Sequence, residues 1–248
     1  MLTDPDRQYA IIAGSGFASF GDDAAGRTMA TDYGEPSAAI RSLDYGDHSV
    51  LFLARHGDAL DIPPHAINYQ ANLSALSELG VQSIIALNAV GVINRQVHPG
   101  QVAVPVQLID YTFGRKHSYY NGDGELDHID FTHPFTESLR QGLLEAGRQS
   151  GVTVYDGGVY GVTQGPRLET AAEVDRYERD GADFLGMTAM PEASLAREIG
   201  MEYACLSLIV NHAAGRGERT IHEDLEASTM TAKMQAMKVL RVFFGETE

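Results

Sequence analysis

The chain has 248 residues, 44% of them hydrophobic, and a formal net charge of −16 at pH 7. That much apolar material excludes a disordered chain and suffices for one large α/β core. The acidic balance excludes the positive footprint that a nucleic-acid or anionic-membrane binder needs, so any anionic ligand must be held by a local cluster of donors. In chain order, the first strand-like runs are Tyr9–Ala13 and Ser49–Ala54. Pro63-Pro64 then opens a helix over Ala66–Leu79 that stops at Gly80, followed by strands Ser83–Asn88 and Gln101–Pro105. A helix over Thr132–Ser150 is expected to take Thr132 as its cap and to end at Gly151. Strands Val152–Tyr155 and Val159–Thr163 precede a helix over Glu169–Asp180, closed by Gly181. Strand Phe184–Met187, helix Pro191–Ile199 and strand Tyr203–Val210 complete the alternation. Proline near a helix start and glycine just past its end are the expected punctuation.

Most of these strands are apolar throughout rather than alternating, which predicts a central sheet covered by helices on both faces, in one domain over residues 1–248. Near the C-terminus Met230, Met234, Met237, Leu240 and Phe244 recur three or four apart and predict a helix with that stripe as its core face. The single cysteine, Cys205, lies in an apolar run and reads as a buried, inert thiol. The start Met1-Leu2-Thr3-Asp4-Pro5-Asp6 lacks the regions of a secretory signal, and no apolar run approaches the roughly 18 residues of a membrane span, so a cytoplasmic protein is expected.

Three segments carry chemistry. In Gly14-Ser15-Gly16 the first strand enters a small-residue turn, where backbone N–H groups and the Ser15 hydroxyl can approach an anion. The third glycine of a dinucleotide fingerprint is missing, so a nicotinamide site is discounted. Arg55-His56-Gly57 follows the second strand directly, at the carboxyl end where open α/β sheets bind ligands. Arginine offers a permanent, forked charge for phosphate, and histidine a proton near neutrality. His65 opens the next helix and either reaches the same anion or caps the turn. In Leu87-Asn88-Ala89-Val90-Gly91 small residues after a buried strand let backbone amides touch a ligand.

With Pro64-His65-Ala66-Ile67-Asn68-Tyr69, Gly165-Pro166-Arg167-Leu168-Glu169-Thr170, Gly186-Met187-Thr188-Ala189-Met190-Pro191-Glu192 and the segment around Asn211, these strings stand in a familiar order. Over nearly its whole length the chain resembles the trimeric purine nucleoside phosphorylase and 5'-methylthioadenosine phosphorylase family. The resemblance implies a twisted mixed β-sheet flanked by helices, and a homotrimer, or trimers paired into a hexamer, with sites near subunit interfaces. It implies that phosphate meets Ser15, Arg55, His56, the Ala89 amide and Thr188, with Asn88 in the same loop. Met187 would line the ribose and Leu168 would pack on the base. His128 would serve a neighbouring subunit's site near the 5' substituent. Inorganic phosphate is a co-substrate, and no metal or other cofactor is expected.

Cleaving a purine nucleoside puts positive charge on the ribosyl ring and negative charge on the departing base. Phosphate under the ring stabilises the first, and donors at N7 and O6 must stabilise the second. Asn211 can donate to O6, and an ionised Glu169 accepts from N1–H, so a 6-oxopurine fits better than adenine. Methylthioadenosine phosphorylases typically carry an acid near the Asn211 position and another two residues on, where this chain has Ala213. Asn211-His212-Ala213-Ala214-Gly215 matches the S-methyl-5'-thioinosine phosphorylases best. His222, however, aligns approximately with a histidine that ordinary purine nucleoside phosphorylases turn toward a 5'-hydroxyl, which keeps inosine or guanosine open. A methylthioadenosine phosphorylase, a nucleoside hydrolase and a non-catalytic nucleotide-binding module remain as alternatives.

Overall fold

Residues that are apolar on both sides need cover on both sides, and the apolar runs accordingly form the middle of a sheet. The computed structural model describes residues 2–4, 6–14, 17, 25–46 and 48–246. In chain order it has β1 (Gln8–Ala13), β2 (Arg41–Tyr45), β3 (His48–Ala54), α1 (Tyr69–Glu78), β4 (Val81–Val92), β5 (Val102–Val104) and β6 (Gln107–Asp110). Then come α2 (Glu137–Gln149), β7 (Val154–Asp156), β8 (Val159–Val162), α3 (Ala171–Arg179), β9 (Phe184–Gly186), α4 (Ala189–Glu198), β10 (Glu202–His212) and α5 (Ile221–Phe243). Among the described residues the strands form one ten-stranded mixed sheet, in the order β2-β3-β1-β4-β10-β5-β7. The far end of β4 pairs antiparallel with β9, which leads on to β8 and β6.

Successive residues of the central strands point to opposite faces. Ile12, Leu53, Ile84 and Ala86 pack with Leu73 of α1 and Leu195 of α4, whereas Ile11, Phe52, Ile85 and Leu87 pack with Leu143 of α2 and Leu240 of α5. Cys205 is fully buried, and burial pushes its thiol up to about 12, in keeping with an inert role. Strands β2 and β6 were not expected. Arg41-Ser42-Leu43-Asp44-Tyr45 buries only Leu43 and Tyr45, and β6 has no fully buried residue, so neither carries the apolar run of an interior strand.

Two helix expectations need correction. Helix α2 starts at Glu137, not after Thr132, and Thr136 is its N-cap residue. The Thr136 backbone N–H donates to the Tyr203 carbonyl and its hydroxyl accepts from the Tyr203 N–H, so docking on β10 decides where the helix begins. In α5 the methionine stripe is not the core face: Met230 and Met234 are 64% and 53% exposed. The buried side is Ala232, Ala236, Val239, Leu240 and Phe243, with Met237 half-buried. Two small alanines let the helix lie close to the sheet, which turns the larger Met230 and Met234 outward.

One irregularity matters for the site. Strands β4 and β10 run parallel, and their register shifts between Ile209, opposite Val90, and Asn211, opposite Gly91. The extra residue, Val210, makes a bulge, a device that re-aims the neighbouring side chain.

Candidate active site

Because β1, β3 and β4 run parallel, their carboxyl ends meet at one edge of the sheet. There Gly14, Arg55, His56, Asn88 and Ala89 line a cavity of about 220 Å³. Its other walls are Leu168 and Glu169, Met187 and Thr188, and Asn211, Ala213 and Leu225.

Arg55 is 1% exposed, and its guanidinium is largely committed to the protein. Nε and Nη2 donate to Glu192 at 3.0 and 2.8 Å, Nη1 donates to the Leu87 carbonyl at 2.7 Å, and Nη2 also donates to the Ile12 carbonyl at 3.0 Å. Burial works against the charge, but Glu192 outweighs it and holds the guanidinium above its usual pKa. Of its five N–H groups, one on Nη1 has no protein partner among the described residues. A Cβ built on Gly14 would lie 3.4 Å from Nη1 and 3.1 Å from the His56 ring, so a side chain there would crowd both.

His56 Nδ1 lies 2.8 Å from the Ile62 carbonyl, which requires a hydrogen on Nδ1. Burial, with Arg55 adding to it, lowers the His56 pKa. The neutral ring therefore presents an acceptor at Nε2, suited to a P–OH group. Thr188 stands at the N-cap of α4 and accepts from Asn88 Nδ2 at 2.9 Å, which leaves its own hydroxyl hydrogen free to donate. Asn88 Oδ1 is buried and has no partner among the described residues. An unsatisfied buried acceptor costs about 1–3 kcal/mol, and a ligand hydroxyl at this wall would remove that cost.

Also on the cavity, the bulged end of β10 presents Asn211, 7% exposed, against Gly91 of β4. A Cβ on Gly91 would sit 2.9 Å from the Asn211 amide nitrogen, so the glycine makes room for that side chain. Asn211 Nδ2 donates to the His212 carbonyl at 2.7 Å, keeping one amide hydrogen and its oxygen for a ligand. Glu169 precedes Thr170, whose capping box with Glu173 fixes the start of α3. Its Oε1 accepts from the Thr163 hydroxyl at 2.6 Å.

Arg55, His56, Thr188, Asn211 and Glu169 thus line one cavity, and residues 8–244 match the model of the phosphorylase superfamily. The chain belongs to the phosphorylase superfamily. It is 49% identical over 216 residues to a protein of Pseudomonas syringae pv. tomato named "Probable S-methyl-5'-thioinosine phosphorylase", covering 86% of this chain and 88% of that one. It is 42% identical over 226 residues to the 6-oxopurine nucleoside phosphorylase of Pyrococcus furiosus, covering 88% and 84%. In structure this phosphorylase is similar to a mutant adenosine/methylthioadenosine phosphorylase of Schistosoma mansoni in complex with methylthioadenosine. The TM-score is 0.89 at 28% identity, over 96% of this chain and 91% of that one.

Not every expected site residue of the phosphorylase reaches the cavity. Ser15 lies outside the described residues. His128 is exposed and does not line the cavity of its own chain. His222, in the first turn of α5, is exposed and also off the cavity, where Leu225 stands instead. His65 is exposed as well, and only the neighbouring Pro64 contributes to the wall. Among the described residues no group of three or more His, Cys, Asp or Glu is placed to hold a metal.

Sequence reasoning missed Arg115. Half-buried beside Tyr69, it donates to the Met187 carbonyl at 2.8 Å, the Met190 carbonyl at 2.6 Å and the Gln164 carbonyl at 2.8 Å. It thereby ties the segment that carries Met187 and Thr188 to the one that leads into Glu169. Its surroundings, Phe113-Gly114-Arg115-Lys116, gave no signal, because carbonyl acceptors are invisible in a sequence. A lysine keeps the charge but cannot span three carbonyls. We predict that Arg115→Lys lowers kcat/KM at least about 10-fold, the loss of one or two charge-assisted hydrogen bonds; steady-state rates close to those of the unmodified enzyme would refute this.

Proposed function

We propose that this phosphorylase cleaves the N-glycosidic bond of 6-oxopurine nucleosides with inorganic phosphate. S-methyl-5'-thioinosine is the preferred substrate, and the products are hypoxanthine and 5-methylthioribose 1-phosphate. The carrying observation is that Asn211 and Glu169 line the same cavity as Arg55, His56 and Thr188, with apolar Ala213 beside them. Phosphate sits on the free Arg55 Nη1–H, the Thr188 hydroxyl and the Ala89 backbone amide, with a P–OH donating to His56 Nε2. From below the ring it stabilises the developing positive charge at C1' and then bonds to C1' as the bond to N9 breaks. Asn88 Oδ1 takes a ribose hydroxyl, Met187 lines the sugar and Leu168 packs on the base. Electron density released to the purine is met by the Asn211 amide at O6 and N7, while Glu169 accepts from N1–H. No covalent enzyme intermediate is needed, and no cofactor beyond the co-substrate phosphate.

Leu225 at the cavity wall, with His222 away from it, supports an apolar 5' substituent and hence methylthio over hydroxyl. A homotrimer, or a hexamer of two trimers, acting in the cytoplasm belongs to the same proposal. Its support is that the segment 111–135 exposes Phe113, Tyr120 and Leu126, and also His128, the residue that the family resemblance assigns to a neighbour's site. The test is a panel of methylthioinosine, inosine, guanosine, methylthioadenosine and adenosine, each with and without phosphate. Methylthioinosine is expected to be cleaved fastest, to a sugar 1-phosphate, and only with phosphate. Free sugar without phosphate would indicate a hydrolase, no product at all a binding module, and inosine ahead of methylthioinosine would reverse the 5' assignment. Sedimentation of a fully active monomer would remove the shared-site proposal.

A further inference from the structure

The contact between Thr163 and Glu169 reaches beyond holding a loop together. Thr163 follows the last residue of β8 and is 5% exposed, and its backbone N–H is bound to the Gly186 carbonyl at 2.7 Å. Its hydroxyl has one hydrogen and two acceptors in range, Glu169 Oε1 at 2.6 Å and the Gly186 carbonyl at 3.4 Å. The shorter contact has the length of a hydroxyl donating to a carboxylate, so the hydrogen goes to Glu169. The backbone of Glu169 is fixed independently by the Thr170 capping box at the start of α3. Glu169 is therefore held at both ends, it lines the cavity, and its Oε2 has no donor among the described residues.

We propose that Thr163 is a specificity-determining positioning residue, whose buried hydroxyl keeps Glu169 an acceptor toward position 1 of the base and so sets the preference for 6-oxopurines over 6-aminopurines. The proposal rests on the reading that Glu169 meets N1. Hypoxanthine has a hydrogen on N1 and is served by Oε2 as it stands. Adenine has a lone pair there, so Glu169 would have to carry a proton on Oε2. A protonated carboxyl is the weaker acceptor, and the bond from Thr163 would be weakened in that state. Each adenine complex thus sacrifices a contact that the hypoxanthine complex keeps.

The test compares kcat/KM for methylthioinosine and methylthioadenosine in the unmodified enzyme and in Thr163→Val, Thr163→Ser and Glu169→Gln. Valine keeps the shape and removes the donor, and should narrow the ratio about 10-fold or more, the effect of one charge-assisted hydrogen bond. Serine restores the donor and should keep the ratio within about threefold of the original. A loosened fold would slow both nucleosides alike and leave the ratio unchanged, so an unchanged ratio in Thr163→Val, with Glu169→Gln narrowing it, overturns the proposal and spares the role of Glu169. If Glu169→Gln itself leaves the ratio unchanged, the reading beneath the proposal falls with it.

Discussion

Arg55→Ala is expected to cost about 3–5 kcal/mol of folding stability as well as phosphate binding, because it strands a buried carboxylate. Glu192 has 0% exposure and, among the described residues, only the Tyr203 hydroxyl at 2.9 Å as a side-chain donor besides Arg55. The same guanidinium links the Ile12 carbonyl of β1 to the Leu87 carbonyl of β4. It thereby fixes the strand ends on which Gly14, Asn88 and Ala89 depend. On the proposed phosphate placement the one N–H left on Nη1 would contact the anion, and losing it should raise the phosphate requirement by roughly 30- to 1,000-fold, about 2–4 kcal/mol. The two effects can be separated. In Arg55→Met with Glu192→Met no buried charge is left, so much of the stability returns, whereas phosphate binding does not. Chemical denaturation and phosphate titration of both variants decide the matter. An unchanged phosphate dependence in Arg55→Ala would mean that the anion binds elsewhere.

The second large effect is on the base. Methylthioinosine or inosine should be cleaved at least about 100-fold more efficiently than the matching adenine nucleoside, a difference of roughly 2.7 kcal/mol. A site built on hydrogen bonds rejects a mismatched analogue because its own polar groups go unpaired. Asn211 is buried and already uses one amide hydrogen on the His212 carbonyl. The other would face an amino group in adenine instead of O6, while Glu169, held by Thr163, would face a lone pair. Asn211→Asp should narrow the gap, since a protonated acid can still serve N7 but no longer donates to O6 as well. Comparable efficiencies for methylthioadenosine and methylthioinosine in the unmodified enzyme would sink this reading and favour a methylthioadenosine phosphorylase. The similarity in structure to the Schistosoma enzyme does not decide the point, because a shared fold leaves base choice to a few side chains.

Glycine, asparagine and apolar runs carry local information, and there the sequence reads well. Uninterrupted apolar runs such as Ile84–Leu87 required burial on both faces, which predicted strands in the middle of a covered sheet. Gly14 and Gly91 read as room for a ligand against the backbone, and in the structure the space beside them is taken by the His56 ring and the Asn211 amide. By contrast, every feature that depends on what lies across from a residue had to wait for the tertiary structure. Arg55 reads as a phosphate ligand in isolation, but Glu192, 137 residues on, and the Leu87 and Ile12 carbonyls take four of its five N–H groups. The spacing of Met230, Met234 and Met237 defines a stripe without saying which side of the helix meets the sheet, and Ala232 and Ala236 settled that. A short alignment cannot say which way His222 points, and α5 docks so that Leu225 takes the cavity wall instead. Sequence alone determined the interior strands, most of the helices and the kinds of residue available to the site, because periodicity and turn chemistry act over a few residues. Which donors remain free, and which side chains face the cavity, was decided only by packing, because both depend on partners far apart in the chain.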